Sequence, residues 1–271
     1  MSRPLHLVAV QPALVMRDTA GNLARIRRML LSAADAGPID LAVLPEIFSG
    51  WPAASVDPAA DEARAFIGEL GRRLRCIVVG GSLGWTDTGG ARRNLSVVCD
   101  RSGREVGAYA KRVPFGLEQG RIDAGTSDGL FECDGVRVAV LICGDLWRPE
   151  LAAGCMRRAD VLCVPARTGV ADEPHALYAR TLWWNLALVR AMETGLPVVV
   201  SDWAAMRHDA SDRPHCTGGG ASIVDPSRRP DIHRLQVRIE DGGEGVLQAT
   251  IDPDAVEKYR AYRRSVGLLP P

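Results

Sequence analysis

Short apolar segments alternate with longer amphipathic segments along most of the chain. In the first third, the strand-like runs LHLVAV, LAVLPE and CIVVGG enclose two stretches with helical periodicity, residues 22–34 and 59–74. Apolar positions three and four residues apart predict helices, and short β-branched runs bounded by Gly and Pro predict strands. This alternation is typical of the βαβ units of a layered α/β fold.

The middle of the chain departs from this alternation. NLSVVCD, residues 103–109 and GVRVAVLI are separated by turn residues rather than helices, which predicts antiparallel strands within the same sheet system. Further along, helices are predicted near residues 151–158 and 175–193, and strands at VLCVPA, LPVVVSD, ASIVDP and VRIEDGGEGVLQATI, before a last helical segment. Because no low-complexity linker or repeat interrupts the chain, we expect one domain over residues 1–271.

Composition limits the classes of partner. The chain has 271 residues, 46% of them hydrophobic, and its 33 basic residues equal its 33 acidic ones. A chain without net charge has no global field that attracts nucleic acid or an anionic membrane, so we expect a small-molecule substrate. The first apolar run is too short for a signal peptide, and no window is apolar enough to span a bilayer.

Seven cysteines suggest a reducing compartment, which predicts a cytoplasmic protein. No Cys-x-x-Cys pair is present, so a structural zinc site is not expected. Cys76, Cys99 and Cys163 lie in or beside apolar runs, where cysteine packs as a small hydrophobe. Cys143 differs, because it ends the apolar run 138–142 and directly precedes a loop. In open α/β sheets, ligands and catalytic groups gather at that end of the strands.

A thiol with an ordinary pKa of about 8.5 needs a base or a positive environment to act as a nucleophile at neutral pH. None of the five histidines lies in a recognisable cysteine-protease context. Glu46 follows an apolar run in LAVLPE, Lys111 ends a strand-like run, and Glu118 lies seven residues further on. Taken singly, each of these charges also fits an ordinary solvated side chain, so the residues alone leave the partner of Cys143 open.

The order of these segments resembles the nitrilase superfamily of carbon-nitrogen hydrolases. The resemblance covers residues 5–252 and rests on six motifs in the same order. They are Gln11-Pro12, Leu44-Pro45-Glu46, Tyr109-x-Lys111 with the downstream Glu118, Cys143-Gly-Asp-Leu-Trp-Arg-Pro-Glu150, VRAMETGLPVVVSD and GGASIVDP.

The resemblance implies a four-layer αββα sandwich with mixed sheets, and a reaction without a metal or an organic cofactor. By position, it makes Cys143 the nucleophile, Glu46 the general base, Lys111 the cation beside the oxyanion and Glu118 a second carboxylate. The backbone N–H of Gly144 then completes the oxyanion site. The implied activity is hydrolysis of an amide or carbamoyl bond of a small molecule through a thioester on the cysteine, with release of ammonia or an amine.

The chain departs from the family pattern around the nucleophile. Gly144 stands where many amidases carry a larger side chain, which predicts either added volume or added backbone freedom beside the thiol. Phe115, Trp147 and Arg148 are the candidate substrate-binding residues. The nearby arginines, which include Arg148, Arg112 and Arg121, suggest a substrate that bears a carboxylate, although pairing with nearby acidic residues explains them equally well.

Several functional alternatives remain at this point. Acyl transfer to an amine would use the same thioester, a nitrile hydrolase would use the same cysteine, and a non-catalytic relative would only bind a ligand. The resemblance also implies a homodimer, or a higher homo-oligomer, that pairs through helices after Cys143 and near residues 175–193. The segment ALYARTLWWNLALVRAM agrees with this expectation, since it is apolar around its circumference.

Overall fold

The computed structural model describes residues 3–209, 215–228 and 231–270. The described strands are β1 (Leu5–Gln11), β2 (Leu41–Val43), β3 (Ile77–Val79), β4 (Leu83–Thr86), β5 (Arg92–Cys99), β6 (Glu105–Ala110), β7 (Leu130–Cys133), β8 (Val136–Val140), β9 (Val161–Pro165), β10 (Gly169–Val170), β11 (Val198–Ser201), β12 (Arg207–His208), β13 (His215–Thr217), β14 (Ser222–Val224), β15 (Gln236–Arg238) and β16 (Gly245–Ile251). The α-helices are α1 (Thr19–Ala36), α2 (Ala60–Leu74), α3 (Pro149–Cys155), α4 (Glu173–Thr194), α5 (Ile232–Leu235) and α6 (Pro253–Ser265). Single 3₁₀ turns span Gly116–Glu118, Cys143–Trp147 and Pro226–Arg228.

The first large sheet has the strand order β16-β1-β2-β3-β5, with β4 and β6 also paired to β5. The strands β1, β2 and β3 run parallel, as expected for βαβ units, and the pairs β5–β4, β5–β6 and β1–β16 are antiparallel. The seven-residue register between Leu5 and Ile251 at one end and Gln11 and Gly245 at the other ties the last strand to the first.

The second large sheet has the order β15-β14-β11-β9-β8-β7, in which β8, β9 and β11 are parallel. The expectation that the three middle strands share one sheet is therefore wrong for GVRVAVLI. Its strand, β8, pairs with β7 and β9 in the second sheet, while β5 and β6 stay in the first. The strand also ends at Val140, two residues before Ile142. A short local pattern specifies a strand but not its partner, which explains the difference.

The two sheets pack face to face between helical layers. Alternate side chains of β1 and β2, such as Leu7 and Val43, share a core with Val140 and Val164 of the second sheet. The side chains between them point the opposite way, where α1 and α2 cover them. Successive side chains of a strand point to opposite faces, so these strands are buried on both sides. The helices α3 and α4 cover the outer face of the second sheet, which completes the sandwich. The predicted αββα sandwich with mixed sheets is confirmed.

The carboxyl ends of the central parallel strands of both sheets meet at one edge. Ser201, at the end of β11, donates its hydroxyl to the carbonyl of Val10 at 2.5 Å. The residue that follows Pro45 donates its N–H to the carbonyl of Ala166, just beyond β9, at 3.1 Å. Loops that leave β2, β8, β9 and β11 therefore converge, and this edge carries the polar side chains described next.

No α-helix within residues 3–209, 215–228 and 231–270 is long and apolar enough to cross a membrane.

Candidate functional site

Glu46 lies immediately beyond β2 and is held by its backbone. Its N–H donates to the carbonyl of Ala166 at 3.1 Å, and its own carbonyl accepts the indole N–H of Trp203 at 2.7 Å. The next residue, Ile47, has a φ of +46°, which is costly for a β-branched residue. Ser82 stabilises this turn by accepting the N–H of Ile47 at 3.1 Å. The backbone therefore fixes a buried carboxylate at the convergent edge.

Lys111 follows β6 and lies between two carboxylates. Its ammonium contacts Oε1 of Glu46 and Oε2 of Glu118, each at 2.7 Å. The Lys111 side chain is 2% exposed, and those of Glu46 and Glu118 are 5% and 15% exposed. Glu118 is fixed on a 3₁₀ turn, where its Oε2 also accepts the N–H of Phe115 at 2.9 Å. The three charges that the sequence suggested separately form one nearly dry cluster.

Asn94 joins the two carboxylates, and sequence reasoning missed it. Its side-chain amide donates to Oε1 of Glu46 at 2.9 Å and to Oε1 of Glu118 at 2.7 Å. Its backbone carbonyl accepts the N–H of Lys111 at 2.9 Å, which continues the pairing of β5 with β6. Only its position in NLSVVCD, paired across the sheet with the lysine strand, could have indicated this role. Asn94 is therefore a positioning residue for all three charged groups.

Cys143 begins the 3₁₀ turn that follows β8 and has a φ of +44°. This left-handed conformation costs about 1 to 2 kcal/mol for a residue that is not glycine, and such strain concentrates at functional sites. The thiol is 8% exposed and donates to the carbonyl of Arg167 at 3.9 Å. The Glu46 carboxylate is close enough for the thiol and the carboxylate each to shift the pKa of the other.

Burial dominates the protonation chemistry of the cluster. Burial raises the pKa of Glu46, an effect that the Lys111 ammonium opposes and Glu118 reinforces. Burial, together with Glu46, also raises the pKa of the Cys143 thiol well above its usual value, although Lys111 lowers it. The pKa of Lys111 is raised, because its carboxylate neighbours outweigh the effect of burial. The lysine therefore stays charged, and the thiol needs a neighbouring base to lose its proton.

Asp145 connects the 3₁₀ turn Cys143–Trp147 to the end of β6, next to Lys111. This turn is called the nucleophile turn below, after the predicted role of Cys143. Its Oδ1 accepts the backbone N–H groups of Arg112 and Val113 at 3.1 and 2.7 Å. Its Oδ2 accepts the Tyr109 hydroxyl at 2.7 Å and the N–H of Ile142 at 3.0 Å. A fully buried carboxylate with four donors connects the residues on either side of Lys111 to the residue before Cys143. The sequence marks Asp145 only as part of a motif and does not reveal this role.

Gly144 follows the nucleophile, but it does not leave an open space. A Cβ at this position would lie 3.1 Å from the carbonyl oxygen of Val113 and 3.4 Å from Cβ of Phe115. The expectation of additional volume beside the thiol is therefore wrong, because the loop after Lys111 already fills that volume. Glycine instead permits the close approach of this loop to the nucleophile turn.

The three residues predicted to bind substrate lie on the same loops but are exposed. Phe115 is 69% exposed and Trp147 is 50% exposed, and the ring centroids of Trp147 and Trp183 are 6.3 Å apart in an edge-to-face arrangement. Arg148 is exposed as well, so none of the three is in the buried cluster.

The arrangement is suited to acyl chemistry at a carbonyl. A buried thiol lies beside a carboxylate that can take its proton, and a fixed ammonium lies next to both. The histidines are not part of this group. In the described ranges, no group of three His, Cys, Asp or Glu side chains could hold a metal ion.

Comparison with known proteins agrees with this chemistry. A model of the carbon-nitrogen hydrolase family matches residues 7–261. Over 228 residues the chain is 29% identical to the 2-oxoglutaramate amidase of Bacillus subtilis (strain 168), covering 79% of this chain and 78% of that protein. It is 26% identical over 254 residues to the deaminated glutathione amidase of Escherichia coli O157:H7, covering 88% of this chain and 87% of that protein.

The same similarity is found among solved structures. The Saccharomyces cerevisiae protein Nit3, a member of branch 10 of the nitrilase superfamily, superposes with a TM-score of 0.79 at 22% sequence identity. The superposition covers 98% of this chain and 95% of that one. At this identity, the likeness supports the fold.

The Asp145 anchor predicts a large effect of a very small change. In Asp145→Asn, an amide N–H₂ group replaces one carboxylate oxygen and leaves two of the four donors without an acceptor. We therefore expect the free energy of unfolding to fall by about 2 to 4 kcal/mol. Tyr109→Phe removes one donor only and should cost about 1 kcal/mol. Denaturant unfolding of both variants measures the difference. Equal stability of the Asn variant and the unaltered protein would contradict the role of this carboxylate.

Asn94 predicts a shift in pH dependence. A carboxylate accepts a proton only when ionised, so with Glu46 as the predicted general base we expect activity to fall as the pH falls through its pKa. Asn94→Ala removes a donor to the charged form, which raises this pKa further. We expect the acidic limb of the kcat/KM profile to move up by about half to one pH unit. An unmoved acidic limb would mean that Asn94 does not act through Glu46.

Proposed function

This chain belongs to the carbon-nitrogen hydrolase family, and on that basis we propose that it hydrolyses an amide or carbamoyl bond of a small molecule with Cys143 as nucleophile. One observation carries the proposal. The Lys111 ammonium is 2.7 Å from both Glu46 and Glu118, and this buried cluster adjoins a strained thiol at a strand end. We infer that Glu46, Lys111 and Cys143 form the catalytic triad, with Glu118 as the second carboxylate.

Acylation begins with proton transfer from the thiol to Glu46. The thiolate then attacks the amide carbon, and negative charge develops on the carbonyl oxygen. Lys111 and the backbone N–H of Gly144 stabilise this oxyanion, and each such donor contributes about 3 to 4 kcal/mol to the barrier reduction. When the carbon-nitrogen bond breaks, Glu46 returns its proton to the nitrogen, and ammonia or an amine leaves.

Deacylation uses the same groups in the opposite direction. Glu46, now ionised, takes a proton from a water molecule that attacks the thioester carbon. The oxyanion forms again beside Lys111, the carbon-sulfur bond breaks, and Glu46 returns the proton to the departing thiolate. Glu118 and Asn94 keep the lysine charged and oriented throughout. The acid is the second product, so the cycle needs only water besides the substrate.

Two relatives are named for amidase activity on small molecules, 2-oxoglutaramate in one case and deaminated glutathione in the other. We therefore propose a small amide as substrate. Phe115, Trp147 and Arg148, exposed on the loops around the nucleophile turn, are proposed to contact the substrate at the mouth of the site.

We propose that residues 1–271 act as one carbon-nitrogen hydrolase domain in the cytoplasm, as a homodimer. The exposed apolar side chains of Leu177, Tyr178 and Val189 on α4 support the dimer, together with Trp147 on the neighbouring turn. Large exposed apolar side chains on one helix are typical of a surface that another protein covers.

Replacement of the nucleophile tests the proposed activity. Cys143→Ser should lower ammonia release from a panel of small amides to below about 1% of the unaltered enzyme. Cys155→Ser is the matched control, because its sulfur donates to the Leu151 carbonyl at 3.3 Å and a hydroxyl can do the same. That variant should keep full activity, as should the unaltered enzyme after treatment with a metal chelator. Activity that survives in the Cys143 variant would show that the nucleophile is misassigned.

The dimer predicts a mass of twice the 29.1 kDa of the chain in sedimentation or light scattering at micromolar concentration. Tyr178→Glu introduces a charge on the apolar face of α4 and should shift the protein toward the monomer. The exposed Leu268, on the C-terminal segment, provides the control substitution Leu268→Glu. A monomeric unaltered protein would refute the dimer.

A further inference from the structure

Arg167 lies two residues beyond β9, and its backbone contacts Cys143. Its backbone carbonyl accepts the Cys143 thiol at 3.9 Å. Its guanidinium carbon lies 5.0 Å from the centroid of the Trp203 ring, and the indole N–H of Trp203 donates to the carbonyl of Glu46. The side chain is half-buried. Arg167 therefore contacts Cys143 through its backbone, and its side chain contacts Trp203, which holds the backbone of Glu46.

The contacts of this guanidinium are neutral. Nη2 lies 3.8 Å from the sulfur of Met16 and contacts Nε2 of His215. Since a guanidinium has only donors, Nε2 is the acceptor in this contact. The buried Nε has no hydrogen-bond partner. Within the described residues, Arg167 forms no ion pair with a carboxylate.

The nearby carboxylates are already engaged. Glu46 and Glu118 pair with Lys111, and Asp202 accepts three backbone N–H groups at 2.7 to 2.9 Å. Burial lowers the pKa of Arg167, and these carboxylates raise it only from a distance. Arginine nevertheless stays charged in proteins. A partly dehydrated cation without a direct counter-ion is costly, so a bound anion would be favoured there.

The other arginines near the site do not have this environment. Arg112 lies 3.9 Å from Asp128, with its side chain 35% exposed, and Arg121 and Arg148 are exposed. The sequence suggested an anionic substrate on the basis of these three side chains. Arg167 differs from these three because its backbone carbonyl contacts the thiol and its guanidinium forms no ion pair within the described residues.

We propose that Arg167 determines specificity by binding a carboxylate on the acyl portion of the substrate. The inference rests on the proposed function and narrows its substrate class to amides of dicarboxylic or similar acids. A guanidinium matches the two oxygens of a carboxylate, and Nε is the donor that lacks a partner. The single positive charge also suits a singly charged group better than a dianion, because Glu46 and Glu118 lie close by.

Two alkylating reagents of similar size test the charge at the thiol without knowledge of the substrate. Iodoacetate and iodoacetamide both form a carbon-sulfur bond with Cys143 and release iodide, but only iodoacetate is anionic. The ratio of their rates, followed by mass spectrometry of the Cys143 peptide, cancels changes in thiol reactivity. We expect Arg167→Met to lower the iodoacetate-to-iodoacetamide ratio by about tenfold and Arg167→Lys to preserve most of it.

Arg157→Met is the matched control, since it removes an exposed positive charge from the segment after α3. Its ratio should equal that of the unaltered protein. An unchanged ratio in Arg167→Met, or an equal fall in both methionine variants, would overturn the proposal.

A pair of amides then tests the substrate class. Succinamate and butyramide differ by a carboxylate in place of a methyl group. The enzyme should prefer succinamate in kcat/KM, and Arg167→Met should lower the ratio of the succinamate and butyramide kcat/KM values by about tenfold or more. Turnover of butyramide without any preference for succinamate would overturn the role of Arg167 but not the proposed amidase activity. Conversely, Cys143-independent turnover of both amides would reject the proposed function, while the reagent ratio would still decide the role of Arg167.

Discussion

Four hydrogen bonds to the Asp145 carboxylate determine how the two sheets share one site. Two donors come from the backbone after Lys111, one from the Tyr109 hydroxyl, and one from the residue before Cys143. Lys111 follows β6 of the first sheet, and Cys143 follows β8 of the second sheet. Without this link, the two groups would lie on separate loops. Their mutual position therefore depends on a buried carboxylate that takes no part in the chemistry.

The second constraint is the low polarity of the space around Lys111. In water, an ammonium and two carboxylates attract each other only weakly, but burial of all three makes their attraction strong. In the proposed mechanism Glu46 must be ionised to accept a proton; burial raises its pKa, and the Lys111 ammonium opposes that effect. We propose that the same ammonium also stabilises the developing oxyanion. The guanidinium of Arg167, over the Trp203 ring, is a second, half-buried cation, and no carboxylate of the described residues forms an ion pair with it.

The sequence predicted the α/β alternation, the helices α1, α2 and α4, and the residues Glu46, Lys111, Cys143 and Glu118, because these depend on local periodicity and on motifs in a fixed order. It misassigned the sheet of β8, since strand pairing is a long-range choice. It also predicted space beside Gly144, which the loop after Lys111 occupies. Asn94, Asp145 and Arg167 act through partners distant in the chain, and no local pattern marks such contacts.

The central claim is a covalent thioester on Cys143. The most direct measurement is mass spectrometry of the enzyme quenched in acid during turnover of an amide that it hydrolyses. The account predicts a mass increase equal to the amide minus ammonia, located on the Cys143 peptide and formed no later than the acid product. Single-turnover formation of the acid with no acyl mass on the protein, or with the acyl group on a different residue, would contradict it.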